Sequence, residues 1–181
     1  TEISRSAVSV SFAAVELARQ IFGTLKGHRV MLVGAGKMSE LAARHLHRAG
    51  VGEILVTNRS PERARQVAAI FGGQVVEYDR FPEALRHVDV VIASSAAPHC
   101  ILHKYDMQRV ISARRHRPMF LIDLAVPRGC VFAFLGLAGQ QEGVLALGLA
   151  GVGAFQGDAL LAGLRLVVEP VLQPRPRHAD V

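Results

Sequence analysis

Arg29-Val30-Met31-Leu32-Val33 runs directly into Gly34-Ala35-Gly36-Lys37-Met38-Ser39, and the junction between them decides how the chain is organised. The first five residues are too few for a stable helix and almost wholly apolar. That pattern predicts a strand buried on both faces, as in a parallel sheet. The next six form a G-x-G turn that opens onto an amphipathic helix. Gly34 allows the tight turn, and Gly36 leaves no side chain between the backbone and a pyrophosphate. A helix starting here points unpaired N–H groups at phosphate oxygens. Ser39 stands where the usual fingerprint has its third glycine. It is small enough to keep the helix near the strand, and its hydroxyl offers a second donor for phosphate. Glycine pairs are common in loops, so it is the position between buried strand and helix that points to a dinucleotide.

Working outward, strands and helices alternate. The helix from Lys37 sets Met38, Leu41, Ala42, Leu46 and Ala49 on one face, and Gly50 and Gly52 end it. Glu53–Thr57 reads as a second strand. Ser60-Pro61-Glu62 is a helix start, with a hydroxyl cap, a proline at the first position and an acid in the first turn. Ala64, Val67, Ala68 and Phe71 follow at helical spacing, and Gly72-Gly73 closes the segment. Gln74–Tyr78 predicts a strand, Phe81–His87 a short helix, Val88–Ala93 a buried strand, 104–116 a basic helix and Met119–Asp123 a last strand. Upstream, Ala14, Leu17, Ala18 and Ile21 predict a helix over 8–22. Alternation of this kind implies an α/β fold with a doubly wound parallel sheet of Rossmann type. The N-terminal helix and linker occupy 1–27 and the nucleotide-binding domain 28–128.

The 181 residues hold 21 Lys and Arg against 15 Asp and Glu, a net charge of +6. A hydrophobic half excludes a wholly disordered chain, and two cysteines, Cys100 and Cys130, exclude a disulfide scaffold or a multi-cysteine zinc module. The start has no signal-peptide pattern, so a cytoplasmic setting with reduced thiols is expected. Residues 1–128 carry 18 of the basic and 11 of the acidic residues. Residues 129–168 carry only Glu142, Asp158 and Arg165, with nine of the 17 glycines. A basic balance favours anionic partners without choosing among them.

The end of the second strand addresses the choice of cofactor. A site for NAD usually places an acid there to accept from the ribose hydroxyls. This chain has Asn58-Arg59-Ser60, with Arg63 and Arg65 following. A carboxylate would repel a 2′-phosphate, whereas Arg59 can pair with it and Ser60 can donate to it. The expected cofactor is therefore NADPH. Ser94, Ser95 and Ala96, after the fourth strand, are small enough to let the nicotinamide half lie close to the backbone. His99 is a candidate acid or base and Cys100 a candidate nucleophile, but neither has a partner visible in the sequence. A solvated imidazole and a buried thiol are the plainer readings. Arg114-Arg115-His116-Arg117 suits a helix C-terminus electrostatically, and no aromatic residues interleave to make a base-stacking platform.

Five segments resemble the central domain of the glutamyl-tRNA reductase family. They are Ser9–Ala18, Gly34–Ala42, Thr57-Asn58-Arg59-Ser60, Ser94-Ser95-Ala96-Ala97-Pro98-His99, and Leu121-Ile122-Asp123-Leu124-Ala125-Val126-Pro127-Arg128. The resemblance implies an NADPH-binding domain of an enzyme that reduces Glu-tRNA(Glu) to glutamate-1-semialdehyde, at the head of tetrapyrrole (porphyrin) biosynthesis. It implies a homodimer in the full-length protein, and a catalytic domain whose cysteine forms a thioester that receives the hydride. Neither Cys100 nor Cys130 stands in a matching motif, so the chain alone is expected to bind NADPH without catalysis. Two alternatives remain at this point. One is a shikimate-dehydrogenase-like NADP oxidoreductase, which also carries an Asn-Arg pair after its second strand. The other is a non-catalytic nucleotide-binding module.

Beyond Arg128 the resemblance stops. Residues 129–181 read as an irregular or helical Gly/Leu/Ala-rich tail, with a lineage-specific docking helix and a shifted reading frame as explanations. The uncharged runs Gly129–Gln141 and Gly143–Gly157 fall short of the roughly 20 residues a membrane span requires.

Overall fold

A computed structural model describes residues 2–94, 101–114, 117–124 and 144–148. A long helix, α1 (Glu2–Phe22), precedes β1 (Arg29–Val33), α2 (Lys37–Arg48), β2 (Glu53–Thr57) and α3 (Pro61–Phe71). A two-residue strand, β3 (Gln74–Val75), leads through a 3-10 turn at Tyr78–Arg80 to the short α4 (Phe81–Ala84) and a second such turn at Leu85–His87. Then come β4 (Val90–Ala93), α5 (Lys104–Ala113), β5 (Met119–Asp123) and β6 (Val144–Gly148). The sheet runs β3-β2-β1-β4-β5-β6, and every pairing is parallel. This 3-2-1-4-5-6 order is that of a Rossmann fold, with its topological switch between β1 and β4.

Alternation along the central strand divides the core. Val30 and Leu32 of β1 pack with α1, α2 and α3 on one face, while Met31 and Val33 pack with Phe81, Leu85, Met107 and Val110 on the other. Both faces are closed, which is why β1 and β4 are buried almost without interruption. Fully buried Leu32, Ile92 and Ile122 each contribute about 1.5–3 kcal/mol of hydrophobic stabilisation. The helices carry their own termination signals: Glu40 lies in the first turn of α2, with His45, His47 and Arg48 in its last.

Two elements differ from the sequence expectation. The strand expected over Gln74–Tyr78 stops at Val75, because the chain turns into the 3-10 segment at Tyr78. Within the run read as an irregular or helical tail, residues 144–148 form β6, paired to β5 from Met119↔Val144 to Asp123↔Gly148. Val144-Leu145-Ala146-Leu147-Gly148 is a short continuous apolar run of the kind that suits a parallel strand. Its glycine-rich surroundings hid it. No helix among the described residues is long and apolar enough to cross a membrane.

Candidate functional site

The carboxyl ends of β1, β2 and β4 meet at one edge of the sheet, and the glycine turn lies across them. Gly34 adopts φ 110°, open to glycine and rarely to other residues. Its N–H donates to the Thr57 carbonyl at 2.9 Å, tying the turn to the end of β2. Gly36 is the residue before α2, at φ −92° and ψ −177°, and no side chain caps that helix. The first intrahelical bond runs from the Glu40 N–H to the Gly36 carbonyl at 3.1 Å. The N–H groups of Lys37, Met38 and Ser39 therefore have no intrahelical acceptor. A Cβ added to Gly36 would meet nothing within 4 Å, and its backbone angles suit any residue. The fold does not need glycine there, and its absence of a side chain leaves the backbone open to close approach. Ala35 and Met38 pack on the core beneath, and Lys37 is exposed.

Ser39 is completely buried, and its Oγ lies 2.5 Å from the Oγ of Ser94. Ser94 follows β4, and its N–H donates to the Val33 carbonyl at 2.9 Å. The Ser39 hydroxyl suggested for phosphate thus faces Ser94 and joins α2 to β4 across the switch point. Its small volume is what lets the helix sit so close.

At the end of β2, the Asn58 side-chain amide donates to the Ser60 carbonyl at 3.1 Å, bending the chain into α3. The Ser60 hydroxyl accepts from the Arg63 N–H at 3.5 Å as the helix cap. Arg65 pairs with Glu62. Arg59 and Arg63 are exposed, and neither has a carboxylate within ion-pair distance among the described residues. Thr57 is buried, and its hydroxyl is an orphan among the described residues. Open space at Gly36, the N–H groups left free at the start of α2 and, among the described residues, an Arg59 without a paired acid fit a nicotinamide dinucleotide. Nearby, burial pushes the Tyr78 phenol pKa up, and the Arg59 charge offsets part of that rise. Ser95, Ala96, His99 and Cys100 lie outside the described residues.

The basic cluster after α5 has a use that the sequence did not reveal. The Arg114 guanidinium is buried and donates to the carbonyls of Leu85 (2.7 Å), Arg86 (3.2 Å), Val88 (2.5 Å), Pro118 (2.7 Å) and Arg117 (3.0 Å). Burial lowers its pKa, as does Arg117, and Asp89 works against both. The sequence offers only a faint signal, an arginine just past the helix end with Pro118 soon after. Arg115 and His116 lie outside the described residues.

Strand order, switch-point turn and unpaired helix N-terminus define a Rossmann-type domain of the dehydrogenase class, which binds nicotinamide cofactors. Residues 16–132 match the family model described as Shikimate / quinate 5-dehydrogenase, and the chain belongs to that family. Its curated homologues are glutamyl-tRNA reductases. That of Solibacter usitatus is 66% identical over 128 residues, which are 71% of this chain and 30% of the relative. A solved glutamyl-tRNA reductase from Methanopyrus kandleri superposes with a TM-score of 0.71 at 34% identity, covering 91% of this chain and 38% of that one. A shikimate dehydrogenase solved in complex with NADP+ shares the fold at a TM-score of 0.53 and 16% identity, covering 89% of this chain and 56% of that one. The chain thus spans less than a third of the length of the Solibacter relative.

Proposed function

We propose that this chain is the NADPH-binding part of a glutamyl-tRNA reductase, the oxidoreductase that converts Glu-tRNA(Glu) to glutamate-1-semialdehyde for tetrapyrrole synthesis. The observation that carries the cofactor choice is Arg59, an exposed guanidinium at the end of β2 with no acid paired to it among the described residues. A 2′-phosphate matches that charge, whereas the bare ribose of NADH leaves it unanswered. The pyrophosphate belongs on the Gly34–Ser39 turn and the N-terminus of α2, with Asn58, Arg59, Ser60 and Arg63 around the ribose phosphate. Ser94, Ser95 and Ala96 belong beside the nicotinamide half. Once bound, NADPH supplies the hydride; the residues here hold and orient it.

The identity of 66% to a glutamyl-tRNA reductase supports this reading over a shikimate-type enzyme, where the similarity is to the shared domain at 16% identity. The same reading makes the parent protein a cytoplasmic homodimer whose nucleophile lies in another domain. Calorimetry of the chain with NADPH and NADH tests it. NADPH is expected to bind at least about tenfold more tightly, a preference that Arg59→Ala abolishes. Equal affinities, or an unaltered preference in Arg59→Ala, would overturn the assignment. Glutamate-1-semialdehyde formed from Glu-tRNA by this chain alone would refute the placing of the nucleophile elsewhere.

A further inference from the structure

β3 is two residues long, yet its pairing with β2 continues one step further. The Val76 N–H donates to the Val56 carbonyl at 2.9 Å. The register sets Gln74 opposite Leu55 and Val75 opposite Val56. The pairing thus ends at Val76, two residues before Tyr78, and Arg59 lies two residues past the carboxyl end of β2. Tyr78 begins the 3-10 turn, with its ring half-buried. The Phe81 ring backs it at a centroid distance of 5.8 Å and a tilt of 43°. Phe81 is 3% exposed, so it anchors the phenol to the core while the remaining surface of that ring faces solvent. Arg59 is near enough for its charge to act on the phenol.

A flat ring already held in place loses little freedom when another ring lies on it. Adenine is such a ring, and at this edge of the sheet it must sit within one ribose of the group that takes the 2′-phosphate. Resting on the NADPH reading above, we propose that Tyr78 carries the adenine of the cofactor, the purine stacking on the open side of the phenol while Arg59 takes the 2′-phosphate. The two residues then divide the labour. Arg59 distinguishes NADPH from NADH, and Tyr78 strengthens both alike, because stacking does not sense the phosphate.

The chain has two tyrosines and no tryptophan, so in Tyr105→Phe the only tyrosine emission comes from Tyr78. Tyr105 is 68% exposed on α5, and the substitution keeps its ring. In that variant, 2′,5′-ADP is expected to quench the emission saturably, at the midpoint that calorimetry gives for the same ligand. Nicotinamide mononucleotide, which lacks adenine, is expected to leave it unchanged. Tyr78→Ala should weaken NADPH and NADH by the same factor, on the order of tenfold, and Tyr78→Phe should retain the wild-type affinity. NADPH binding with unquenched emission, or with Tyr78→Ala unaltered, would overturn the role of Tyr78 and leave the cofactor reading standing. Failure of the chain to bind NADPH at all would overturn both. Should Tyr78→Ala not fold, the emission of the Tyr105→Phe protein decides the matter.

Discussion

The two edges of the sheet are both rich in polar groups, and they use them in opposite ways. At the amino edge, Asp89 receives His28 Nδ1 at 3.2 Å, the Arg29 N–H at 3.1 Å and Arg117 Nη2 at 3.3 Å, with Arg114 Nη2 at 4.0 Å. Arg114 itself donates to five carbonyls around it. These donors are satisfied from within, tying together the starts of β1, β4 and β5. At the carboxyl edge, the first N–H groups of α2 lack acceptors within their helix, and among the described residues Arg59 lacks an acid and the Thr57 hydroxyl a partner. Groups left unsatisfied cost stability unless something else meets them. One edge is knit together from within; the other leaves polar groups open.

Substitutions should separate the two edges. Arg114→Ala strands the carbonyls of Leu85, Val88 and Pro118, and is expected to lower unfolding free energy by about 3–5 kcal/mol. Urea denaturation measures that loss, while NADPH affinity of the protein that remains folded should hold. Ser94→Ala leaves the buried Ser39 hydroxyl without its partner, and the same denaturation should show a loss of about 1–3 kcal/mol. Gly36→Ala reverses the pattern. Its Cβ enters open space, so the denaturation midpoint should stay put while NADPH affinity falls at least about tenfold. An unaltered affinity there would mean that the phosphates do not approach Gly36.

The smallest effect concerns pH. His45, half-buried on α2 with its ring against Phe12, has a pKa lowered first by burial and then by Arg48 and Arg44. The unfolded chain therefore takes up the proton more readily than the folded one. Stability should fall as pH drops through the unfolded value of about 6.5, and the fall should end below the lowered folded value. Denaturation at pH 7.5 and pH 5 measures the slope, and His45→Gln should flatten the part that His45 causes.

The glycine turn, the β1 and β2 strands and the cap of α3 were legible because each follows from local chemistry: apolar runs, a G-x-G, Ser60-Pro61-Glu62. The Arg59 position was legible for the same reason, as an offset from a strand end. Arg114 was not, because its acceptors are carbonyls of residues 85–88 and 117–118, and backbone carbonyls leave no trace in residue identity. Ser39 was half legible. Its size predicted close packing, but the hydroxyl on Ser94 comes from a strand some 55 residues away. β6 was missed because four apolar residues between glycines resemble filler until a neighbouring strand gives them a register.

That sixth strand bears on how the protein can be handled. A chain trimmed after Arg128, where the composition changes, would uncover the outer side of β5 from Met119 to Asp123. An apolar strand with unpaired backbone groups along one side is a template for another copy of itself. The shortened protein would keep its nucleotide turn and lose its solubility, so a minimal version should retain residues 144–148 or carry a charged substitute along that edge.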